Sequence, residues 1–199
     1  MIKNLIFDVG NVLVEYRWRD MLTLDYGLAQ EEAERIGQET FECRIWDQKL
    51  DAGYLDVEGA IAEYGKLFPE DIEHIAWFLR NAEKMAVPRP EIWEKLPGLK
   101  EKGYAIYILS NYSQELFGKH TKGASFLDVL DGGIVSYQVH LLKPDRRIYE
   151  CLLEKYGLRA EECLFFDDLA PNVESARKLG MQAVQVLSRE MLNQRLEEL

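Results

Sequence analysis

Residues 2–9 open the chain with a short apolar run, Ile2, Leu5, Ile6, Phe7 and Val9, that stops at Gly10. A run of that length between a terminus and a glycine reads as a buried strand. The same signature returns at residues 105–109, 134–135, 163–166 and 183–187. Helical patterns separate these runs: residues 91–102 up to Gly103, a segment after Ser110-Asn111-Tyr112-Ser113, residues 146–156 up to Gly157, and residues 172–179 up to Gly180. Strands separated by helices imply an α/β fold with a doubly wound parallel sheet, Rossmann-like in architecture.

Between the first strand and the others lies a long stretch with helical periodicity. Residues 31–43, 57–67 and 69–85 give its clearest helices, with Pro69 where a first helical turn tolerates it. Val87-Pro88-Arg89-Pro90 closes the stretch and reads as a linker. The expected domains are a core of residues 1–15 and 88–199 and an α-helical insert of residues 16–87, with the two connections near Glu15 and at residues 87–90.

Composition removes several classes of function. The chain has 199 residues, 47% hydrophobic and 30% charged, which suits one globular domain with a small insert. Its 24 basic and 35 acidic residues give a net charge of −11, the wrong sign for nucleic acid or an anionic membrane. No apolar run approaches the ~18 residues of a spanning helix, and Asp8 and Gly10 interrupt the N-terminal stretch too early for a signal peptide. Cys43, Cys151 and Cys163 are scattered and odd in number, as expected of unpaired thiols in a reducing cytoplasm. The three histidines lack zinc-site spacing, and no glycine-rich nucleotide loop occurs. Residues 47–58 begin with Asp and end with Glu like a calcium loop, but Lys49 and Leu55 occupy ligand positions and Ala52 stands where the turn needs glycine. The oligomeric state stays open at this stage.

Ligands of open parallel sheets bind beyond the carboxyl ends of the strands. There the sequence sets Asp8 after the first strand, Ser110 and Asn111 after the second, and Asp167 and Asp168 after the fourth. Lys143 follows the third. Singly, an aspartate is a turn or cap residue, a serine a helix cap and a lysine a solvated surface group. Two adjacent carboxylates after Leu164-Phe165-Phe166 are different, because a bound cation is the simplest way to keep both beside a core. Carboxylates, a hydroxyl, an amide and a lysine at four strand ends suit phosphoryl transfer through an aspartate. The carboxylate attacks phosphorus, Mg²⁺ on carboxylate oxygens neutralises charge, and Ser110, Asn111 and Lys143 hold the non-bridging oxygens.

These residues form four ordered motifs: FDVGNVLV at residues 7–14, ILSN at 108–111, KPD at 143–145 and FFDD at 165–168, followed by Asn172. The set resembles the haloacid dehalogenase-like hydrolases, and the helical insert falls where that family carries its cap. The resemblance implies Asp8 as nucleophile and Ser110 and Lys143 as phosphate ligands. It also implies Mg²⁺ on Asp8, the Gly10 carbonyl and Asp168, with Asp167 and Asn172 supporting. The DxGN form of the first motif is similar to that of bacterial sugar-phosphate phosphatases, including those acting on alpha-D-glucose 1-phosphate.

One position departs from the family pattern. The second aspartate that serves as general acid and base is replaced here by Gly10, followed by Asn11. Glu15, a cap residue or water would have to supply the proton. The expected activity is Mg²⁺-dependent hydrolysis of a small phosphorylated metabolite, a sugar phosphate. The alternatives are a metal-independent 2-haloacid dehalogenase and a catalytically weak binding or regulatory protein. Within the insert, Asp51-Ala52-Gly53 is the candidate loop to meet substrate, and Trp46, Tyr54, Tyr64, Phe68, Trp77 and Phe78 are expected to pack on one another.

Overall fold

A computed structural model describes residues 1–199. Its strands are β1 (Asn4–Phe7), β2 (Val14–Tyr16), β3 (Ala86–Pro88), β4 (Ala105–Ser110), β5 (Gly132–Val135), β6 (Cys163–Asp167) and β7 (Gln182–Gln185). Five of them form a parallel sheet in the order β5-β4-β1-β6-β7. Side chains alternate across it, so one face carries Leu5, Phe7, Ile106, Ile108, Leu164 and Phe166. The other carries Ile6, Tyr107, Leu109, Cys163 and Phe165. Helices cover both faces, which is why these strands are apolar throughout. The α/β sheet with an inserted helical cap is therefore the observed architecture. No helix is long and apolar enough to cross a membrane.

The cap contains helices Gln30–Glu42, Val57–Leu67 and Ile72–Arg80 and a π-helical turn, Trp46–Asp51. Asp56 starts the second helix by accepting a hydrogen bond from the Gly59 N–H at 2.8 Å, and residues 47–58 thus serve helical turns and a cap, not a calcium loop. The single helix expected over residues 69–85 is divided. Pro69–Asp71 form a turn, Ile72–Arg80 the helix and Ala82–Met85 a 3₁₀ turn. Asn81 ends that helix, its side-chain Nδ2 donating to the Trp77 carbonyl at 2.9 Å. Residues 91–102 also divide, into Pro90–Trp93 and Leu96–Glu101. Pro97 has no N–H for the Trp93 carbonyl four residues back, so the ladder stops there.

The expected linker is more ordered than its prolines suggest. β2 and β3 pair as an antiparallel ribbon with Glu15 opposite Val87, so both chain crossings between sheet and cap run side by side. The cap core is continuous with one face of the sheet, where Tyr64, Phe78 and Leu79 belong to the same apolar cluster as Phe7 and Phe166.

Candidate active site

β1 is the middle strand, and the chain order reverses on either side of it. That reversal is the place where an open sheet leaves a crevice. Asp8 follows β1, its N–H donating to the Phe166 carbonyl at 2.8 Å. Ser110 ends β4 on one side and Asp167 ends β6 on the other. The sequence separations are large, but neighbouring strands bring all three ends together.

Asp8 is buried, and its two oxygens differ. Oδ1 accepts from Ser110 Oγ at 2.6 Å, Lys143 Nζ at 2.9 Å and the Val9 N–H at 2.7 Å. Oδ2 accepts no hydrogen bond from the protein. Lys143 Nζ also reaches Asp167 Oδ2 at 2.6 Å, and its side chain is 1% exposed. Asn111 clamps that lysine's backbone: its Nδ2 donates to the Lys143 carbonyl at 3.0 Å, and its Oδ1 accepts from the Lys143 N–H at 2.8 Å. Asp167 is fully occupied, because Oδ1 also accepts from the Leu169 N–H and from Asn172 Nδ2, both at 2.9 Å. Asp168 is not. Its Oδ2 accepts from Asn11 Nδ2 at 3.0 Å, leaving Oδ1 without a partner.

Carboxylate oxygens of Asp8, Asp167 and Asp168 lie within 4.8 Å of one another. Burial raises the pKa of Asp8, and the charges of Asp167 and Asp168 add to this against the opposing pull of Lys143. Burial raises Asp168 as well. Burial alone would lower Lys143, but Asp8 and Asp167 outweigh it and hold it above its usual value. Three carboxylates around one ammonium leave an excess of negative charge in a dry place. A hard divalent cation with oxygen ligands fits that excess, and the free oxygen of Asp168 is open to its coordination.

Above this floor is a cavity of about 470 Å³ lined from below by Asp8, Gly10, Asn11, Asn111, Lys143, Asp168 and Asn172. The cap supplies Trp18, Arg19, Phe41, Trp46, Asp47 and Asp51. The loop expected to meet substrate divides here. Asp51 lines the cavity, whereas Ala52 and Gly53 lie against the core. The aromatic group also divides. Tyr64 and Phe78 are buried in the cap, Trp46 packs on Phe41 with ring centroids 4.9 Å apart while walling the cavity, and Tyr54 stacks on His140 at 5.0 Å.

Three features had no role assigned from sequence. Asn11 takes a left-handed backbone (φ 54°), which asparagine tolerates, and this turns its amide to Asp168. Tyr16, in the ribbon, sets its ring against Gly10. Trp18 and Phe41 wall the cavity and pack on each other with centroids 5.5 Å apart. Only the αL tolerance of asparagine leaves a local sequence signal. Glu15 is absent from the cavity wall, its Oε2 lying 3.0 Å from Arg189 and 3.6 Å from Arg89.

Phosphatase MT3486 of Mycobacterium tuberculosis (strain CDC 1551 / Oshkosh) is 26% identical over 192 residues, covering 92% of this chain and 86% of the relative. (S)-2-haloacid dehalogenase 1 of Pseudomonas sp. (strain CBS-3) is 23% identical over 194 residues, covering 93% and 84%. The crystal structure of a HAD (haloacid dehalogenase) family enzyme of Bacteroides thetaiotaomicron, in complex with magnesium and inorganic phosphate, superposes with a TM-score of 0.71 at 22% identity, covering 93% and 94%. The family model described as haloacid dehalogenase-like hydrolase matches residues 2–180, and the chain belongs to that family.

Proposed function

We propose that this hydrolase is a Mg²⁺-dependent phosphatase of a small phosphorylated metabolite, a sugar phosphate, acting through an aspartyl-phosphate on Asp8. The observation that carries the reading is the asymmetry of the Asp8 carboxylate. One oxygen is fixed by Ser110, Lys143 and the Val9 N–H, the other accepts no hydrogen bond, and the residue lines the cavity together with Asp168. A carboxylate held this way has its attacking oxygen aimed with little orientational freedom left to lose.

In this reading Asp8 Oδ2 attacks phosphorus as the bond to the leaving oxygen breaks, and water later cleaves the acyl phosphate. Ser110 and Lys143 turn from Asp8 Oδ1 toward the phosphoryl oxygens as these arrive. Asn111 holds Lys143 and turns its remaining N–H to the substrate. Asp8, the Gly10 carbonyl and Asp168 would hold Mg²⁺, with Asp167 and Asn172 supporting, and the bound ion supplies the positive charge that lets a phosphoryl dianion approach a carboxylate. Trp18, Phe41 and Trp46 with Arg19 and Asp47 line the cavity from the cap and would meet the sugar. Rocking about the β2–β3 ribbon would open the cavity between steps.

The absent side-chain acid at Gly10 favours a second reading. A halide leaves without a proton, so a metal-independent dehalogenase needs no acid there, and one similar protein carries that name. The carboxylate pair at the end of β6 supports the metal and hence the phosphatase. The deciding experiment measures phosphate release from 4-nitrophenyl phosphate and chloride release from 2-chloropropionate, each with and without EDTA. EDTA-sensitive phosphate release, falling to background in Asp8→Asn, is the expected result. EDTA-insensitive chloride release would overturn it in favour of the dehalogenase. Silence in both assays would favour a binding or regulatory protein.

A further inference from the structure

Hydrolysis of an alkyl phosphate leaves an alkoxide that needs a proton, and the place of the usual acid is physically filled. A Cβ on Gly10 would lie 2.7 Å from both Cε2 and the hydroxyl of Tyr16. Glu15 is held outside the cavity by arginines. The remaining oxygen acids on the cavity wall, away from the floor, are Asp47, Asp51 and Tyr16. Burial pushes the Tyr16 phenol well above its ordinary value, which makes it a hydrogen-bond donor that keeps its proton. Asp47 is only partly buried, and its Oδ1 is engaged by the Gln48 N–H at 2.7 Å.

We infer that Asp51 of the cap is the catalytic residue that protonates the leaving oxygen, an assignment that rests on the phosphatase reading. Asp51 is 7% exposed, ends the π-helical turn and faces the same cavity as Asp8. Its backbone is latched to the core: Ser136 Oγ donates to the Asp51 carbonyl at 2.6 Å, and His140 Nδ1 meets the Ala52 carbonyl at 2.8 Å. Gly53 follows at a positive φ of 77°, so close to Tyr137 that a Cβ would lie 3.0 Å from its backbone. The cap loop therefore delivers this carboxyl only when it is seated on the core.

The charge state suits a donor. Burial pushes Asp51 up to about 8, helped by Asp47 and Asp8, so it carries a proton at neutral pH. The groups opposing that shift are the Ser113 backbone and the Trp46 side chain, both N–H donors. Neither can accept the carboxyl's own proton, and Asp51 lines the cavity.

The two half-reactions balance. Asp8 Oδ2 forms a bond to phosphorus, the phosphorus–oxygen bond to the alcohol breaks, and the Asp51 proton passes to that oxygen, leaving Asp51 as carboxylate. Asp51 then takes a proton from water as the water oxygen attacks phosphorus. The bond to Asp8 breaks, and phosphate leaves with both aspartates restored.

The test is the first-turnover release of alcohol across a leaving-group series, from 4-nitrophenyl phosphate to an alkyl phosphate, for the wild type and Asp51→Asn. A nitrophenolate leaves without a proton. The variant should stay within a few-fold of wild type on that ester and fall by ~10²–10⁴-fold on the alkyl ester, the usual reach of general acid catalysis. Equal losses on both esters, or no loss on either, would overturn the assignment. The wild type tests it without any variant, because its first-step rate should vary weakly with leaving-group acidity. A steep wild-type dependence would mean that no acid acts. A wild type that releases phosphate from neither ester would instead overturn the phosphatase reading, and this assignment with it.

Discussion

A Cβ on Gly10 would meet the Tyr16 ring at 2.7 Å, and that ring is itself packed near Tyr112 and His120, with centroids 6.2 and 6.0 Å away. Restoring the family's acid by Gly10→Asp should therefore overpack the site. We expect it to lower stability by ~1–3 kcal/mol without raising alkyl-phosphate turnover, with Gly10→Asp/Tyr16→Ala recovering part of the loss. Thermal melts and turnover assays on the two variants check this. Asp51 makes a prediction of its own. Its ordinary value near 3.8 is raised to about 8 by burial, with Asp47 on the same turn and Asp8 across the cavity contributing. Tyr16, Tyr64 and Tyr112 also face it. Between those two values the folded protein holds a proton that the unfolded chain has lost, so stability falls as pH rises through the window. Each pH unit costs about 1.4 kcal/mol from this group alone. Asp51→Asn should therefore melt progressively higher than wild type from pH 5 to pH 8 in EDTA. A pH-independent difference would show that Asp51 is already ionised at the bottom of that range.

At the scale of elements, the short irregular pieces position the cap and the long regular ones carry the core. Ser136 Oγ donates to the Asp51 carbonyl and accepts from the Tyr112 N–H at 2.9 Å, joining cap and sheet domain through one hydroxyl. Ser136→Ala strands both groups in a buried position, worth ~1–3 kcal/mol of stability for each. It also frees the turn that carries Asp51. The expected result is a larger loss on an alkyl phosphate than on 4-nitrophenyl phosphate, whereas a uniform loss would mean that the latch serves stability alone. Such joints explain why parts of the fold were hard to read. β2 and β3 are three residues each and about 70 residues apart, with no alternation to betray them. Helix Val57–Leu67, by contrast, has a capping aspartate and a periodic apolar face and stands where its pattern puts it.

Over the whole molecule the net charge is −11, and part of it sits at the floor of the cavity, where three carboxylates face one lysine. A cation that binds the folded state alone stabilises it by mass action, about 2.7 kcal/mol at a hundred times its dissociation constant. For a chain of this size that is roughly 2–4 °C per kcal/mol. Mg²⁺ should raise the melting temperature of the wild type by that order. Asp168→Ala should abolish the shift. Asp167→Ala should lower the baseline, because it leaves Lys143 and Asn172 with fewer partners, yet retain part of the shift. The reverse ranking in a thermal titration would mean that the two aspartates have exchanged roles.

The sheet, the helical cap and the polar residues at the strand ends were legible in the amino-acid order because each depends on local pattern. A buried parallel strand must be apolar, and although one aspartate at its end can be a turn or cap residue, Asp8 together with the adjacent pair Asp167 and Asp168 stands out as a set. Which ends become neighbours was decided by tertiary structure, through the pairing of β4 and β6 on either side of β1. So was the filling of the space at Gly10 by a ring six residues away, and the seating of Asp51 over the cavity that holds Asp8. Those contacts depend on which side chains share a volume once the ribbon and cap have packed. That property belongs to no single stretch of sequence.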